Sequence, residues 1–336
     1  MSAFLRRYWF LLGLLVMIPS GLTTGNISTG SFVTWWLDHI KPRWITAFVL
    51  FLMTFTLDSR QFLVSLRKPG AVLFAGVVNL GLLPLMALGL APLQFTTDLQ
   101  VGLMIAATVP CTLAAASVWT RKAEGNDAVS LLVTLSTNIL CVVITPLWLS
   151  QATARVVEFN LVDMTFRLVL VVLIPTIIGQ LMRLSPTPLN AQFAAQHKIP
   201  IGVVAQGMIL MLVFTASLKA GQQLATGTAG IGLDGLLFVW ACCLFLHLTG
   251  AAVGWWGSRL FDFPLSDRKA ILFAASQKTL PIGVLLATEP TMFGNAGVPF
   301  AIFPMIMYHT TQLVVDTLIA HKLSSIQPVE VPNISA

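Results

Sequence analysis

Apolar stretches of about twenty residues recur along the whole chain, parted only by short polar connections. A helix needs roughly 20 mostly apolar residues to cross the hydrocarbon core of a bilayer. Inside lipid every backbone N–H and C=O must find its partner within the protein, so runs of this length commit the chain to membrane-spanning α-helices. Ten spans are read, at 8–25, 44–60, 70–92, 99–119, 127–150, 161–182, 199–219, 231–258, 267–288 and 296–320. Composition agrees: only 10% of the residues are charged, where a soluble domain carries about 25%. Residues 1–320 therefore read as one transmembrane unit, and 321–336, polar and holding Pro328 and Pro332, as a cytoplasmic tail. Arg6-Arg7 before Tyr8–Pro19 imitates a secretory leader, but no convincing small-residue cleavage site follows, and the stretch is read as the first span.

The net charge of +6 does not point to nucleic acid, because no basic stretch is dense enough to track phosphates. With the N-terminus inside, 13 Lys and Arg residues fall in inside segments and 5 in outside segments, leaving Lys278 in the membrane. The positive-inside rule then places both termini in the cytoplasm, as in a bacterial inner membrane. Cys111, Cys141, Cys242 and Cys243 all lie in apolar segments and read as small buried hydrophobes. The tryptophans near span ends, Trp36 and Trp148 among them, read as an interfacial belt.

Lys278 breaks the pattern. It stands with Ser276, Gln277 and Thr279 inside the ninth span and is followed by Pro281 and Gly283. A charge near mid-bilayer costs at least ~2.5–3.5 kcal/mol, so such residues face a cavity and do work. The fourth span has its own interruption at Pro110 and Thr112, ahead of Ser117. These are the fourth spans of two five-span halves, and weaker echoes pair Gly125-Asn126 with Gly294-Asn295 and Phe55-Thr56 with Phe214-Thr215. Five is odd, so the halves are inverted, and inverted repeats with broken helices at matching places are a transporter design. Ser130 and Thr134 share one helix face. Asn79, Asn138 and Gln277 read either as site residues or as interhelical glue. His247 and His309 read either as proton carriers or as packing histidines, with His309 the better candidate. Asp58 and Asp316 read as span-end residues that reach the interface, and Asn126-Asp127 as a helix cap.

Ala116-Ser-Val-Trp-Thr120, followed by Gly125-Asn126, Ala128, Ser130 and Thr134, resembles the S-N-V-x-T … G-N-x-A-L-S-x-x-x-T block of the bile acid:sodium symporter superfamily, in its SBF-like branch. Gln277-Lys278-Thr279 is similar to that family's Q-N-S/T; Leu246-His247, Tyr308-His309 and Asn79 with Pro84 are lesser matches. The resemblance implies a panel domain (8–25, 44–60, 161–182, 199–219) and a core domain (70–92, 99–119, 127–150, 231–258, 267–288, 296–320) in which the fourth and ninth helices unwind and cross. It also implies a solute site between panel and core and two sodium ions behind the crossing. The ion positions carried over are Asn79, Ser117, Ser130, Thr134 and Gln277, with Ser117 replacing an asparagine, Ala116 a serine and Asn79 a glutamine. Phe273 stands where the family has a glutamate, and Lys278 where it has an asparagine. Lys278 is therefore read as occupying part of a sodium's place, donating to Ser130, Thr134 or carbonyls of the fourth helix. A structural strut, an anion contact and a proton carrier remain open as its roles.

The reading is an all-α secondary transporter of a small organic anion working by alternating access, with solute and crossover residues Pro110, Thr112, Ser117, Gln277, Lys278, Thr279, Pro281 and His309. Sodium or a proton is the candidate coupling ion, and sodium coupling is in doubt. The alternative is a non-transporting regulatory membrane protein or an intramembrane enzyme. Neither a His-Glu-x-x-His nor a Gly-x-x-x-x-Gly-Lys-Ser/Thr motif is present, so zinc hydrolysis and ATP-driven pumping are not expected. The partners read are the solute and the lipid bilayer; the oligomeric state stays open.

Overall fold

The computed structural model describes residues 3–27, 30–58, 69–153, 160–185, 188–225, 231–288, 293 and 298–325. Arg60, Arg67, Lys68, Arg155, the Gly294-Asn295 echo and the tail from 326 onward lie outside them. Among the described residues there is no strand. The helices are α1 (Ala3–Ile27), α2 (Ser31–His39), α3 (Pro42–Phe55), α4 (Pro69–Leu93), α5 (Thr97–Thr108), α6 (Ala115–Lys122), α7 (Asp127–Thr153), α8 (Leu161–Leu184), α9 (Pro188–Gln196), α10 (Lys198–Ala225), α11 (Leu233–Leu260), α12 (Leu265–Ser276), α13 (Leu280–Thr288) and α14 (Ile302–Leu323). Seven helical stretches among the described residues are long and apolar enough to cross a membrane, counting α12 and α13 as one, and α3 is a shorter apolar helix.

Two elements depart from the sequence reading: α2 and α9 occupy connections expected to be loops. At nine residues each they are too short to register as spans. α2 is pinned to α10 by Trp36, whose indole N–H donates to Thr215 Oγ1 at 3.0 Å. The last helix starts at Ile302 after a 3₁₀ turn and runs to Leu323, into the stretch read as tail.

α1 lies along α10, and α3 packs on α8 and α10; α11 packs on α12 and α14, and α5 on α7. The close approach of α1 to α10 uses Gly25 and Gly221, each of which faces the other helix's backbone so closely that a Cβ would collide with it. From Lys269 to Thr288 every residue is buried. The polar island there therefore never meets lipid, which is how the chain accommodates Lys278.

Proline shapes α4. Pro84 has no N–H to give the carbonyl of Leu80 four residues back, and such a site loosens a helix. A π-helical turn at Val78–Leu82 lies there, and the freed Leu80 carbonyl accepts from the indole N–H of Trp148 at 2.8 Å. Trp148 is thus an interhelical donor. The same turn holds Asn79 fully buried.

Candidate functional site

Both breaks follow from local chemistry. Val109 precedes Pro110, and the residue before a proline is driven from the helical to the extended region; Val109 has φ −62° and ψ 151° and ends α5. In the other break Gln277 is extended, at φ −78° and ψ 145°, and α13 restarts with Pro281 in its first turn, where a missing N–H costs nothing. The two breaks touch: the Thr279 N–H donates to Pro110 O at 3.0 Å.

Lys278 ties the crossing together. Its Nζ donates to Val109 O at 3.0 Å, Asn79 O at 2.7 Å and Asn79 Oδ1 at 3.1 Å. The expected carbonyl of the fourth helix is found; Ser130 and Thr134 are not partners. The side chain is fully buried, and no carboxylate among the described residues lies within ion-pair distance of it. An ammonium on the carbonyl end of α5 is favoured by the helix dipole.

The carbonyls of Ser276, Gln277 and Lys278 each have a side-chain donor. The Asn79 amide donates to Ala274 O at 3.1 Å and Gln277 O at 2.9 Å. Tyr308 OH donates to Ser276 O at 2.8 Å. Gln312 clamps the Lys278 peptide from both sides, accepting from its N–H at 2.8 Å and donating to its carbonyl at 2.9 Å. Gln312 also meets His309 Nδ1 at 2.8 Å, and the His309 ring packs edge-on against Phe10 of α1.

Sequence reasoning missed Gln312 and Asp316. Asp316, read as an interface residue, is fully buried. Its carboxylate accepts from His247 Nε2 at 3.1 Å and from Gln277 Nε2 at 2.6 Å. The signal was present as spacing: Tyr308, Gln312 and Asp316 recur every four residues, one face of α14.

The sodium positions implied by the resemblance do not fit an ion. Ala116 brings no side-chain oxygen, and Ser117 Oγ donates to Asp127 and accepts from Arg121 at 2.7 Å. Thr134 Oγ1 donates to Thr112 O at 3.3 Å. Ser130 Oγ and Gln277 Oε1 are buried without a partner, yet Asn79 Oδ1 holds the ammonium. Phe273 is buried in an apolar cluster with Ala251, Leu272 and Ala320. A hard cation wants several oxygens and a compensating carboxylate; here Asn79 Oδ1 is taken by the Lys278 ammonium and Phe273 brings no carboxylate.

Two cavities flank α6. One of about 290 Å³ lies between α3 and α10 on one side and α6 and α7 on the other, with Arg121, Asp127 and Lys198 on its wall. The other, about 420 Å³, is lined by Trp9, Phe10, Trp119 and Lys122. Ala114, Val118 and Gln206 border both. α6 begins there, with Ala114 at its N-cap making no side-chain cap, and the first N–H groups of a helix have no intrahelical partner. A third cavity of about 480 Å³, between α4 and α7, is aliphatic apart from Ser136 and Thr137 and has no charge to orient a solute.

Thus Pro110, Gln277, Lys278, Thr279, Pro281, Asn79, Thr112 and Thr134 gather at the crossing, with His309 on its α1 side. Ser117 faces the first cavity instead.

Comparison with known proteins completes the picture. The model of the SBF-like CPA transporter family matches residues 8–325. An uncharacterized protein of Pseudomonas aeruginosa is 28% identical over 71% of this chain and 71% of its own length. The "Probable sodium/metabolite cotransporter BASS1, chloroplastic" of Arabidopsis thaliana is 27% identical over 79% of this chain, which spans 64% of that relative. Sodium/bile acid cotransporter 7-A of Xenopus laevis is 20% identical over 96% of this chain and 93% of its own length. With nearly its whole length matched, this chain belongs to the SBF-like CPA transporter family.

Proposed function

We propose that the chain is a secondary transporter of a small organic anion that works by alternating access, in ten spans arranged as two inverted five-helix repeats with both termini in the cytoplasm. The observation that carries this is the pair of cavities between α1, α3 and α10, the panel, and α6, α7 and α14, the core. They meet at the uncapped start of α6, where backbone N–H groups and the helix dipole favour negative charge. Lys198, on the panel wall, has no carboxylate within ion-pair distance among the described residues. Arg121, on the core wall, shares Asp127 with Ser117. A solute carboxylate or sulfate bound between these cations touches both bodies, so their relative movement changes its access. Together the cavities have the volume that small ligands use.

The test is a thermal-shift screen of the purified protein against carboxylates, sulfonates, organic cations and neutral solutes, followed by uptake of the hits into proteoliposomes. Stabilisation by anions and their uptake, with the half-saturating concentration raised about tenfold or more in Arg121→Ala, is expected; a tenfold change corresponds to ~1.4 kcal/mol, within the ~1.5–3 kcal/mol of a charged hydrogen bond. Stabilisation and uptake of cations or neutral solutes alone refutes the reading.

A further inference from the structure

We infer that the Lys278 ammonium is a built-in cation that fills the oxygen cage at the helix crossing, so that the core binds no sodium there. The inference deepens the transport reading, but its test reads ion binding and stands without uptake.

Three observations converge. Nζ lies 2.7–3.1 Å from three oxygens, two of them main-chain carbonyls, supplied by two different helices. That is how a protein holds a small hard cation, with carbonyl oxygens replacing water. The remaining carbonyls of the break are satisfied by Asn79, Tyr308 and Gln312, so they are not left facing an empty space. Phe273, fully buried in an apolar cluster, excludes a carboxylate from that position, and the carboxylate that is present, Asp316, is held by His247 and Gln277.

Magnitude decides between a tethered and a diffusible ion. A sodium ion 4 Å from Nζ is repelled by about 4 kcal/mol at an effective dielectric of 20. That is close to a thousandfold loss of affinity. The tethered ammonium, in contrast, is held by the chain whatever the sodium concentration.

The experiment uses the full chain in detergent, with NaCl, KCl and choline chloride compared at equal ionic strength. Thermal unfolding and ²²Na⁺ binding are both measured. Wild type is expected to show no sodium-specific shift and no saturable ²²Na⁺ binding. Lys278→Ala opens the cage and leaves Val109 O, Asn79 O and Asn79 Oδ1 without the ammonium; it is expected to gain a saturable upward shift in NaCl that KCl and choline do not give. Lys278→Asn keeps a side-chain amide in the cage and serves the same comparison if the alanine variant does not fold. Saturable sodium binding by wild type overturns the inference. So does a folded Lys278 variant that remains indifferent to sodium. Neither result bears on whether organic anions are carried, so the two readings fail separately.

Discussion

Gln312→Leu is the sharpest test of how the broken helix is held. Gln312 is fully buried, and its amide answers both the N–H and the C=O of Lys278. Leucine keeps most of the volume and removes both partners. Each orphaned buried group costs about 1–3 kcal/mol. Side-chain bonds between helices in a membrane protein average nearer ~0.6 kcal/mol, because the unfolded chain in the membrane also finds partners. Two groups inside a dry crossing therefore come to about 2–4 kcal/mol. With the unfolding entropy of soluble domains scaled to 336 residues, that is a fall in melting temperature of about 3–6 °C. Gln312→Glu keeps the acceptor for the Lys278 N–H and loses the donor to its carbonyl, so on hydrogen bonds alone it should lose about half as much. Thr317→Val is the control: the Thr317 hydroxyl donates to Leu313 O of its own helix, a bond of little net worth, and its melting temperature should stay within about 1 °C. The assay is thermal unfolding in detergent followed by tryptophan fluorescence, with nine tryptophans as reporters. If Gln312→Leu melts with wild type, or no further below it than Thr317→Val, the break is not held by side chains and the reasoning fails.

Two further perturbations separate residues that look alike. Asp316→Leu removes the acceptor of His247 and Gln277 and should destabilise by about 2–4 kcal/mol, since it orphans two buried donors at about 1–3 kcal/mol each. Asp58→Ala touches an exposed carboxylate 4.0 Å from Arg183 and should cost about 0–1 kcal/mol; equal effects in the same unfolding assay would contradict the burial. Trp148→Phe should cost about 0.5–1.5 kcal/mol by removing the donor to Leu80 O, and adding Pro84→Ala should recover part of it, because alanine returns an N–H to that carbonyl. A double variant no more stable than Trp148→Phe alone, in a double-mutant cycle, would show that the proline is not what freed the carbonyl.

The membrane class, the two breaks and the anomaly of Lys278 were legible because each rests on a local rule: hydropathy over twenty residues, proline's effect on its neighbour, the cost of a charge in lipid. The partners were legible only in part. Of the partners read for Lys278, a carbonyl of the fourth helix is found, Val109 O, whereas Ser130 and Thr134 are not, and its other partner is Asn79, 199 positions away in sequence. Asp316 was read by its distance from the end of a span, a one-dimensional measure that cannot see α11 and the α12–α13 break closing over it. Trp148 and Trp36 were read by the same measure and turn out to donate across helices. The missed helices α2 and α9 fall below the length at which hydropathy speaks. What sequence periodicity did contain was the face of Tyr308, Gln312 and Asp316; a repeat of polar groups every four residues in an apolar helix marks a buried polar seam.

The crossing also has an electrostatic logic that runs from the breaks to transport. Two interrupted helices bring four helix ends to one place: the carbonyl ends of α5 and α12, and the amide ends of α6 and α13. Carbonyl ends attract a cation and amide ends an anion. A diffusible cation stabilises such a site in proportion to the logarithm of its concentration, and that dependence is what lets an ion gradient drive a solute. A cation fixed to the chain has no such dependence. On the inference drawn above, Lys278 at the carbonyl end of α5 neutralises the crossing equally on either side of the membrane and at every sodium concentration. In the transport proposed above, the amide end of α6 then takes a solute anion without a prior ion-binding step. Any force that drives solute uphill must in that case enter through a group other than the crossing cage, and in its absence the solute moves down its own gradient.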